Sequence, residues 1–493
     1  MKPAFTRRSR QENLTRLRSE TFDVLILGGG INGAGVARDL ALRNPALKVA
    51  LVEQRHFASG TSGRNSQLIH GGLRYLKNLE FRLVRESLHE RATLLAIAPH
   101  LVKPLRFLLP MYGWPARLYY GAGLQLYDLL AGARNVGAHR VLSRHAVQAM
   151  EPGLASEGLS SGALFYDCLI HSARFVLENL FDAARAGAAI VNYCRAERYD
   201  SAGDGGHKVH LTDMLSGDRF ECGARRLVDA TGPWSDSQKL RLVRGSHLIM
   251  PRLTAAGHAI AFFEASGRIV FVIPWGAGDL SLVGTTDVDH SGTADDVRIS
   301  AAEVDYLLAI VRRLFPRALG IAPISAYSSL RPLLSSADAS PTKTSREHRI
   351  WASNGVVHIA GGKFTTYRVM SDEACTHLTG AACRTGEMPL GGNSPAALEG
   401  IPPELEEYGV LAGCVRDYAR DGGLRTGRIR FAVEHEMVER LPDLLFVSTY
   451  WGYEQPQAIP EIAAELGRYL GWDRARIDEE VHLALALCSL PSS

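Results

Sequence analysis

The stretch Asp23–Glu53, DVLILGGGINGAGVARDLALRNPALKVALVE, constrains this chain more than any other. DVLIL is short, apolar and β-rich and runs straight into glycines, so it reads as a buried strand. Gly28, Gly30 and Gly33 follow in G-x-G-x-x-G spacing. Val36, Leu40 and Leu42 continue a helical pattern, and KVALVE is a second strand ending on Glu53, twenty positions after Gly33. The first glycine allows a tight turn, the second lets the backbone approach a pyrophosphate, and the third lets helix and strand pack closely. The helix N-terminus offers N–H donors to phosphates, and Glu53 can accept hydrogen bonds from ribose hydroxyls. Glycine spacing alone is a weak signal. With strand, helix and acid in place it predicts an adenine dinucleotide, without separating a flavin from a nicotinamide.

The chain has 493 residues, enough for two or three domains. It is 46% hydrophobic and 22% charged, and its net charge of +3 is too small to imply nucleic-acid binding. Seven cysteines lie scattered without a C-x-x-C pair, which suggests neither a zinc site nor a disulfide framework and fits a reducing cytoplasm. No metal site is expected. No apolar run approaches the roughly 20 residues of a membrane span. Met1–Glu20 is basic and polar, with Arg7, Arg8, Arg10, Arg16 and Arg18 beside Leu14 and Leu17. It reads first as a solvated N-terminal arm and second as a membrane anchor.

After Glu53, a stretch rich in Ser, Gly, Thr and Asn reads as a long functional loop. A helix is expected from about Glu80 to Ala98, stopped by Pro99 and Pro104. Phe107–Leu130 is apolar and aromatic, and suits a lipid interface as well as it suits a buried helix. A helix at Ala173–Ala186 and strands at Ala188–Tyr193, His207–Thr212 and Arg225–Val228 follow, the last running into the turn Ala230-Thr231-Gly232. Arg268–Pro274 and Leu280–Gly284 are β-rich, Ala301–Phe315 is an amphipathic helix, and Val356–Ala360 is a strand ending in Gly361-Gly362-Lys363. Residues 386–402 read as a linker. Helices are expected at Val433–Leu441, Pro460–Leu470 and Ile477–Leu487. The three glycine turns lie too far apart to be one local motif. The economical reading is an α/β nucleotide domain built from separated segments, with a sheet-rich region inserted and a helical domain appended.

Five basic residues sit beside glycine-rich or proline-bounded turns: Arg74, His247, Arg331, Arg346 and Lys363. Each alone reads as a solvated charge. Ligands bind at the carboxyl ends of strands in open α/β sheets, and Arg and Lys suit a phosphate or carboxylate, so an anionic substrate is expected. His70, followed by two glycines, and His247 are the histidine candidates. An unperturbed imidazole is half-charged near pH 6.5 and can take a proton at neutral pH. Asp287, in GTTD, reads equally as a base or as a turn cap.

The segments GGGINGAGVARDLALR, FASGTSGRNSQLIHGGLRYL, FRLVRESLHER, DATGPW, RGSH, RIVFVIPW, GTTDV, LRPL and GGKFTTYR occur in this order. Together they resemble the FAD-dependent glycerol-3-phosphate dehydrogenases, from about Glu20 to Met370 and more weakly in the C-terminal helices. The resemblance implies a discontinuous Rossmann-like FAD domain, a mixed-sheet substrate domain and a C-terminal helical cap. On it the chain divides into an arm (1–20), an oxidoreductase region (21–385), a linker (386–402) and a helical domain (403–493). The FAD part would come from 21–79, 155–235 and 340–385, the substrate part from 80–154 and 236–339.

The resemblance further implies non-covalent FAD and oxidation of sn-glycerol 3-phosphate to dihydroxyacetone phosphate by hydride transfer, with electrons passed to a membrane quinone, or to oxygen in the oxidase branch. It implies flavin contacts at Gly28, Gly30, Asn32, Gly33 and Glu53, and at Thr61, Ser62 and Ser66. Further contacts fall at His70, Gly71 and Gly72, at Thr231 and Gly232, and at Gly362, Lys363 and Thr365. Arg74, Tyr75, Arg331, Arg346 and Lys363 match the family's substrate ligands. His247 is the expected base and Arg331 the stabiliser of the developing alkoxide. Peripheral attachment to the cytoplasmic membrane face and a homodimer are compatible with this reading.

Three departures stand out. The family's S-S-K-L-I-H-G-G has Gln67 in place of its lysine, K-G-S-H begins with Arg244, and D-D-A-R has become His171-Ser172-Ala173-Arg174. The rival readings are an amino-acid or 2-hydroxy-acid oxidase on the same fold and a non-catalytic flavoprotein. Several converging basic groups favour a phosphate over a carboxylate.

Overall fold

The structure, a computed structural model, describes residues 5–491 apart from 77, 204, 236–239, 256, 265–266 and 335–346. Two sheets dominate. The first runs His348–Ser353, Val356–Gly361, Arg219–Asp229, Thr21–Leu27, Val49–Val52, Ala189–Val191, and its last five strands are mutually parallel. An antiparallel pair, Cys194–Ser201 and His207–Asp213, extends it from Arg219–Asp229. Side chains alternate across a strand, so Val24 and Ile26 join one hydrophobic core while Leu25 and Leu27 join another. Helices Ile31–Arg43, Ser172–Arg185 and Tyr367–Thr376 cover the first face.

The second sheet is mixed and largely antiparallel. The long strands Val102–Tyr112 and Leu159–Ile170 pair antiparallel, and Ala259–Phe263 joins Val102–Tyr112 in parallel. The sheet continues through Ile269–Trp275 and Leu280–Gly284 to Leu240–Pro251, which also pairs with Ser325–Leu334. Leu159–Ile170, expected in the nucleotide part, belongs to this sheet, so the chain returns to the first sheet only after residue 170.

Two expectations are corrected. The N-terminal stretch is not a solvated arm: helix Arg7–Ser19 buries Leu14 and Leu17, and its Arg10, 1% exposed, donates to Asp213 Oδ1 at 2.7 Å and to Asn192 O at 3.1 Å. Phe107–Leu130 is two elements, the end of strand Val102–Tyr112 and the helix Trp114–Ala131. That helix buries Leu124 and Tyr127 but exposes Leu118, Tyr119 and Leu129. The linker stretch is anchored: Asn393 is buried, donates to Glu178 Oε2 at 3.3 Å and accepts from Val410 N at 2.7 Å. Beyond it the C-terminal helices Gly423–His435, Ile459–Leu470 and Arg474–Cys488 pack against the rest of the chain, chiefly through Met437–Tyr453.

Candidate active site

A cleft of 460 Å³ opens where the carboxyl ends of the parallel strands meet the second sheet. Gly28, Gly30 and Asn32 line it from the first turn, Glu53 from the end of the next strand, and Thr231 and Gly232 from the turn after Arg219–Asp229. Thr61, Ser62, Ser66 and His70 come from the long loop, and Gly362, Lys363 and Thr365 from the turn after Val356–Gly361. Gly28 has φ of +106°, and a Cβ there would lie 2.6 Å from the Ala230 carbonyl oxygen. A Cβ on Gly33 would come within 1.9 Å of the Gly28 carbonyl oxygen, so Gly33 packs helix on strand and does not line the cleft. Gly30 is the helix N-cap without a side-chain hydrogen bond, and its nearest obstacle is Ser62 Oγ at 3.0 Å. Glu53 accepts from Gly29 N at 2.7 Å and from Arg55 N at 2.9 Å, one at each oxygen, and burial raises its pKa. Each oxygen keeps a second acceptor site. Turn shape, helix N-terminus and acid therefore fit an adenine dinucleotide.

The other end of the cleft is built on the second sheet. His247, on Leu240–Pro251, stands opposite Gly284 on one neighbouring strand and Tyr327 on the other. Its ring stacks on Tyr327 at 5.0 Å, and Tyr327 donates its hydroxyl to Asn65 O at 2.6 Å. A Cβ on Gly284 would come within 2.2 Å of His247 Cδ2. His247 Nε2 lies 2.9 Å from Ser66 Oγ, while Nδ1 is enclosed and has no hydrogen-bond partner among the described residues. Burial first, and the Arg331 cation second, pull its pKa down to about 3. This places it well below the unperturbed value near 6.5 and favours the neutral imidazole at physiological pH.

Arg331 lines the cleft beside it. Its Nη1 donates to Asp287 Oδ1 at 2.8 Å and to Thr286 O at 2.9 Å, and its Nη2 donates to Thr285 Oγ1 at 2.6 Å. Arg74 does not line the cleft; its Nη1 donates to Asp287 Oδ2 at 3.3 Å. Lys363 Nζ lies 3.9 Å over the Tyr75 ring, which also lines the cleft, and donates to Ser87 Oγ at 3.1 Å. Gly71 anchors its loop, donating its N–H to the Tyr127 hydroxyl at 2.8 Å, and Gly72, at φ of +83°, sits against Tyr75. Neither lines the cleft. Arg346 lies outside the described residues.

Asp287, weighed as a base or cap, is instead the carboxylate between two arginines. The sequence reading passed over Gly245, Gly284 and Tyr327, which shape the seats of Arg331 and His247. A glycine inside a strand pattern marks close approach, and RGSH and LVGTT both carry one.

The family described as FAD dependent oxidoreductase matches residues 23–368. Glycerol-3-phosphate dehydrogenase of Mycobacterium leprae is 35% identical, the alignment covering 94% of this chain and 88% of that protein. The structure of glycerol-3-phosphate dehydrogenase from Bacillus halodurans complexed with FAD matches with a TM-score of 0.78 at 25% identity, covering 98% of this chain and 97% of that one. The chain belongs to the FAD-dependent glycerol-3-phosphate dehydrogenases. FAD is the dinucleotide that its fold and cleft hold. D-erythritol 1-phosphate dehydrogenase of Brucella abortus is also similar, 36% identical over 73% of this chain and 74% of that protein.

Two of the departures from the glycerol-3-phosphate dehydrogenase pattern form one cluster. Gln67 is buried; its Oε1 accepts from Ser172 N at 2.9 Å and from the Tyr450 hydroxyl at 3.0 Å, and its Nε2 donates to Gly63 O at 3.1 Å. His171 stacks on the same Tyr450 at 4.2 Å. The cation and two acids of the family pattern are thus replaced by a neutral set in mutual contact, which leaves no buried charge without a partner. Arg244, the third departure, keeps a cation and pairs with Glu303 at 2.7 Å.

Proposed function

We propose that this chain oxidises sn-glycerol 3-phosphate to dihydroxyacetone phosphate. Arg331 and Lys363 bind the phosphate beside Tyr75, with Arg74 adding charge behind Asp287. Several charge-assisted contacts suit a dianion better than a carboxylate. Holding the phosphate fixes where the carbinol carbon and its hydroxyl lie, and orientation of this kind can supply several kcal/mol of the barrier. His247 takes the hydroxyl proton at Nε2, in place of its contact with Ser66, and Arg331 steadies the negative charge on that oxygen. FAD, bound non-covalently, supplies the two-electron acceptor for the hydride. The nucleotide part comprises the first sheet with its helices, and the second sheet presents the substrate.

One observation carries this reading: His247, Arg331, Lys363 and Tyr75 share a single cleft with the dinucleotide turn. Anaerobic addition of glycerol 3-phosphate to the purified yellow protein should bleach it. Retained colour with glycerol 3-phosphate would sink the proposal. The similarity to D-erythritol 1-phosphate dehydrogenase supports a second reading, a longer polyol phosphate; bleaching rates with both phosphates rank the two.

The acceptor is a quinone, and reoxidation of the reduced protein should be faster with a soluble quinone analogue than with oxygen. Among the described residues no helix is long and apolar enough to cross a membrane. Contact with the cytoplasmic membrane face is peripheral, through helix Trp114–Ala131, where Leu118 and Leu129 are 71% and 72% exposed beside exposed Tyr119 and Arg117.

A further inference from the structure

We infer that Gly245 and Asp287 are positioning residues that aim Arg331 into the cleft, an inference that rests on Arg331 being a ligand of the substrate phosphate. Arg331 stands on Ser325–Leu334 opposite Val243, and its guanidinium lies over Gly245 of the neighbouring strand. A Cβ at residue 245 would fall 2.2 Å from Nη2, 2.4 Å from Cζ and 2.5 Å from Nη1. Any side chain there takes the place of the guanidinium itself. Gly245 pairs in register with Ser329 as an ordinary strand residue outside the left-handed region. The missing side chain, not backbone freedom, is what this position supplies.

Asp287 holds the guanidinium from the side away from the cleft. It is 4% exposed and, unlike Arg331, does not line the cavity. Its Oδ1, the Thr286 carbonyl and Thr285 Oγ1 accept three hydrogen bonds from the two Nη atoms, which fixes the plane of the fork. Its Oδ2 meets Arg74 Nη1, so one carboxylate is the counter-charge of two arginines. Removing it leaves two neighbouring cations without the acid that orders them. Both carboxylate oxygens face guanidinium groups, so Asp287 is placed to steer cations and not to take a proton from substrate.

The test uses FAD-loaded Gly245→Ala, Asp287→Asn and Arg331→Ala. The readouts are KM and kcat with glycerol 3-phosphate, the competitive inhibition constant of inorganic phosphate, flavin content and melting temperature. Gly245→Ala and Asp287→Asn should each raise KM and the phosphate inhibition constant by about tenfold or more, with flavin content unchanged. Added to an Arg74→Ala/Arg331→Ala variant, Asp287→Asn should change the phosphate constant by less than about twofold, because residues that act through the same partner are not additive. If Arg331→Ala weakens phosphate but Gly245→Ala and Asp287→Asn do not, the positioning role is wrong and the ligand reading stands. If Arg331→Ala itself leaves the phosphate constant unchanged, the ligand reading has failed. Loss of flavin or melting temperature in Asp287→Asn without weaker phosphate binding by the remaining holoenzyme makes Asp287 merely structural and overturns its part. Should Asp287→Asn fail to fold, Gly245→Ala decides, since the three atoms nearest its added methyl all belong to the Arg331 guanidinium.

Discussion

His247 is neutral because it is buried and because Arg331 repels its charged form, and both effects push the same way. With a pKa of about 3 it contributes no acid limb to kcat/KM between pH 5 and 7. His247→Asn should lower kcat by roughly tenfold to a hundredfold with a smaller change in KM, less than for a base whose pKa lies near the working pH. An acid limb near pH 6.5 that disappears in this variant would contradict the burial argument. Arg331→Ala removes a charge-assisted contact worth roughly 1.5–3 kcal/mol. It should cost about tenfold to over a hundredfold in kcat/KM for glycerol 3-phosphate and less for free glycerol, which loses only the stabilisation at the carbinol oxygen. Stability responds with a defined sign. Unfolded His247 binds a proton below about pH 6.5 that the folded form refuses, so stability falls as pH drops from there toward 3. Glu454 acts oppositely. Burial, then the charge of Glu407, raises its pKa to about 7, so it holds a proton that the unfolded chain releases above about pH 4.5. That contribution is lost as pH rises to 7 and beyond. Calorimetry should therefore find Glu454→Gln stabilising at pH 8 and neutral at pH 4; a difference independent of pH would refute it.

The strand–turn–helix Thr21–Arg43 separates two kinds of glycine. Gly30→Val projects into the cleft against Ser62 Oγ, so it should fold yet purify without yellow colour. Gly33→Val drives a side chain into the Gly28 carbonyl and should lose soluble protein altogether. Flavin content set against circular dichroism distinguishes the two outcomes. At helix Arg7–Ser19 the buried ion pair of Arg10 stands beside the packing of Leu14 and Leu17. Arg10→Ala strands Asp213 and Asn192 in the core and should cost roughly 3–5 kcal/mol by denaturant titration. A change under about 1 kcal/mol would return this segment to a loosely held arm.

At the scale of the molecule, the exposed residues Leu118, Ala122, Gln125 and Leu129 recur on one side of helix Trp114–Ala131. Leu118→Glu/Leu129→Glu should abolish sedimentation with anionic vesicles and leave bleaching by glycerol 3-phosphate intact. Vesicle binding that survives the double change would move the membrane contact to another surface. The apolar half of that helix is committed elsewhere: Tyr127, buried, donates to Asp167 and accepts from Gly71 N, tying the helix to the loop that carries His70.

Local pattern alone determined the dinucleotide unit, because its turn, helix start and acid lie within one stretch of chain and each obeys a short-range steric or electrostatic rule. The order of the family segments likewise carries the family resemblance in the sequence itself. Segment 7–19 was misread because the acid that neutralises Arg10 is Asp213, two hundred positions away. The end of strand Val102–Tyr112 was hidden for a related reason: residues 107–111 form an apolar run buried on both faces, with no alternation to distinguish it from a helix. The active end of the cleft required the tertiary structure. Gly245 and His247 meet Gly284, Tyr327 and Arg331 only through strand pairing across some ninety residues, and register decides which side chain lies over which glycine. The charge state of His247 and the division of labour around Asp287 follow from that pairing, since burial and ion-pair distance are properties of packed neighbours and not of the residues themselves.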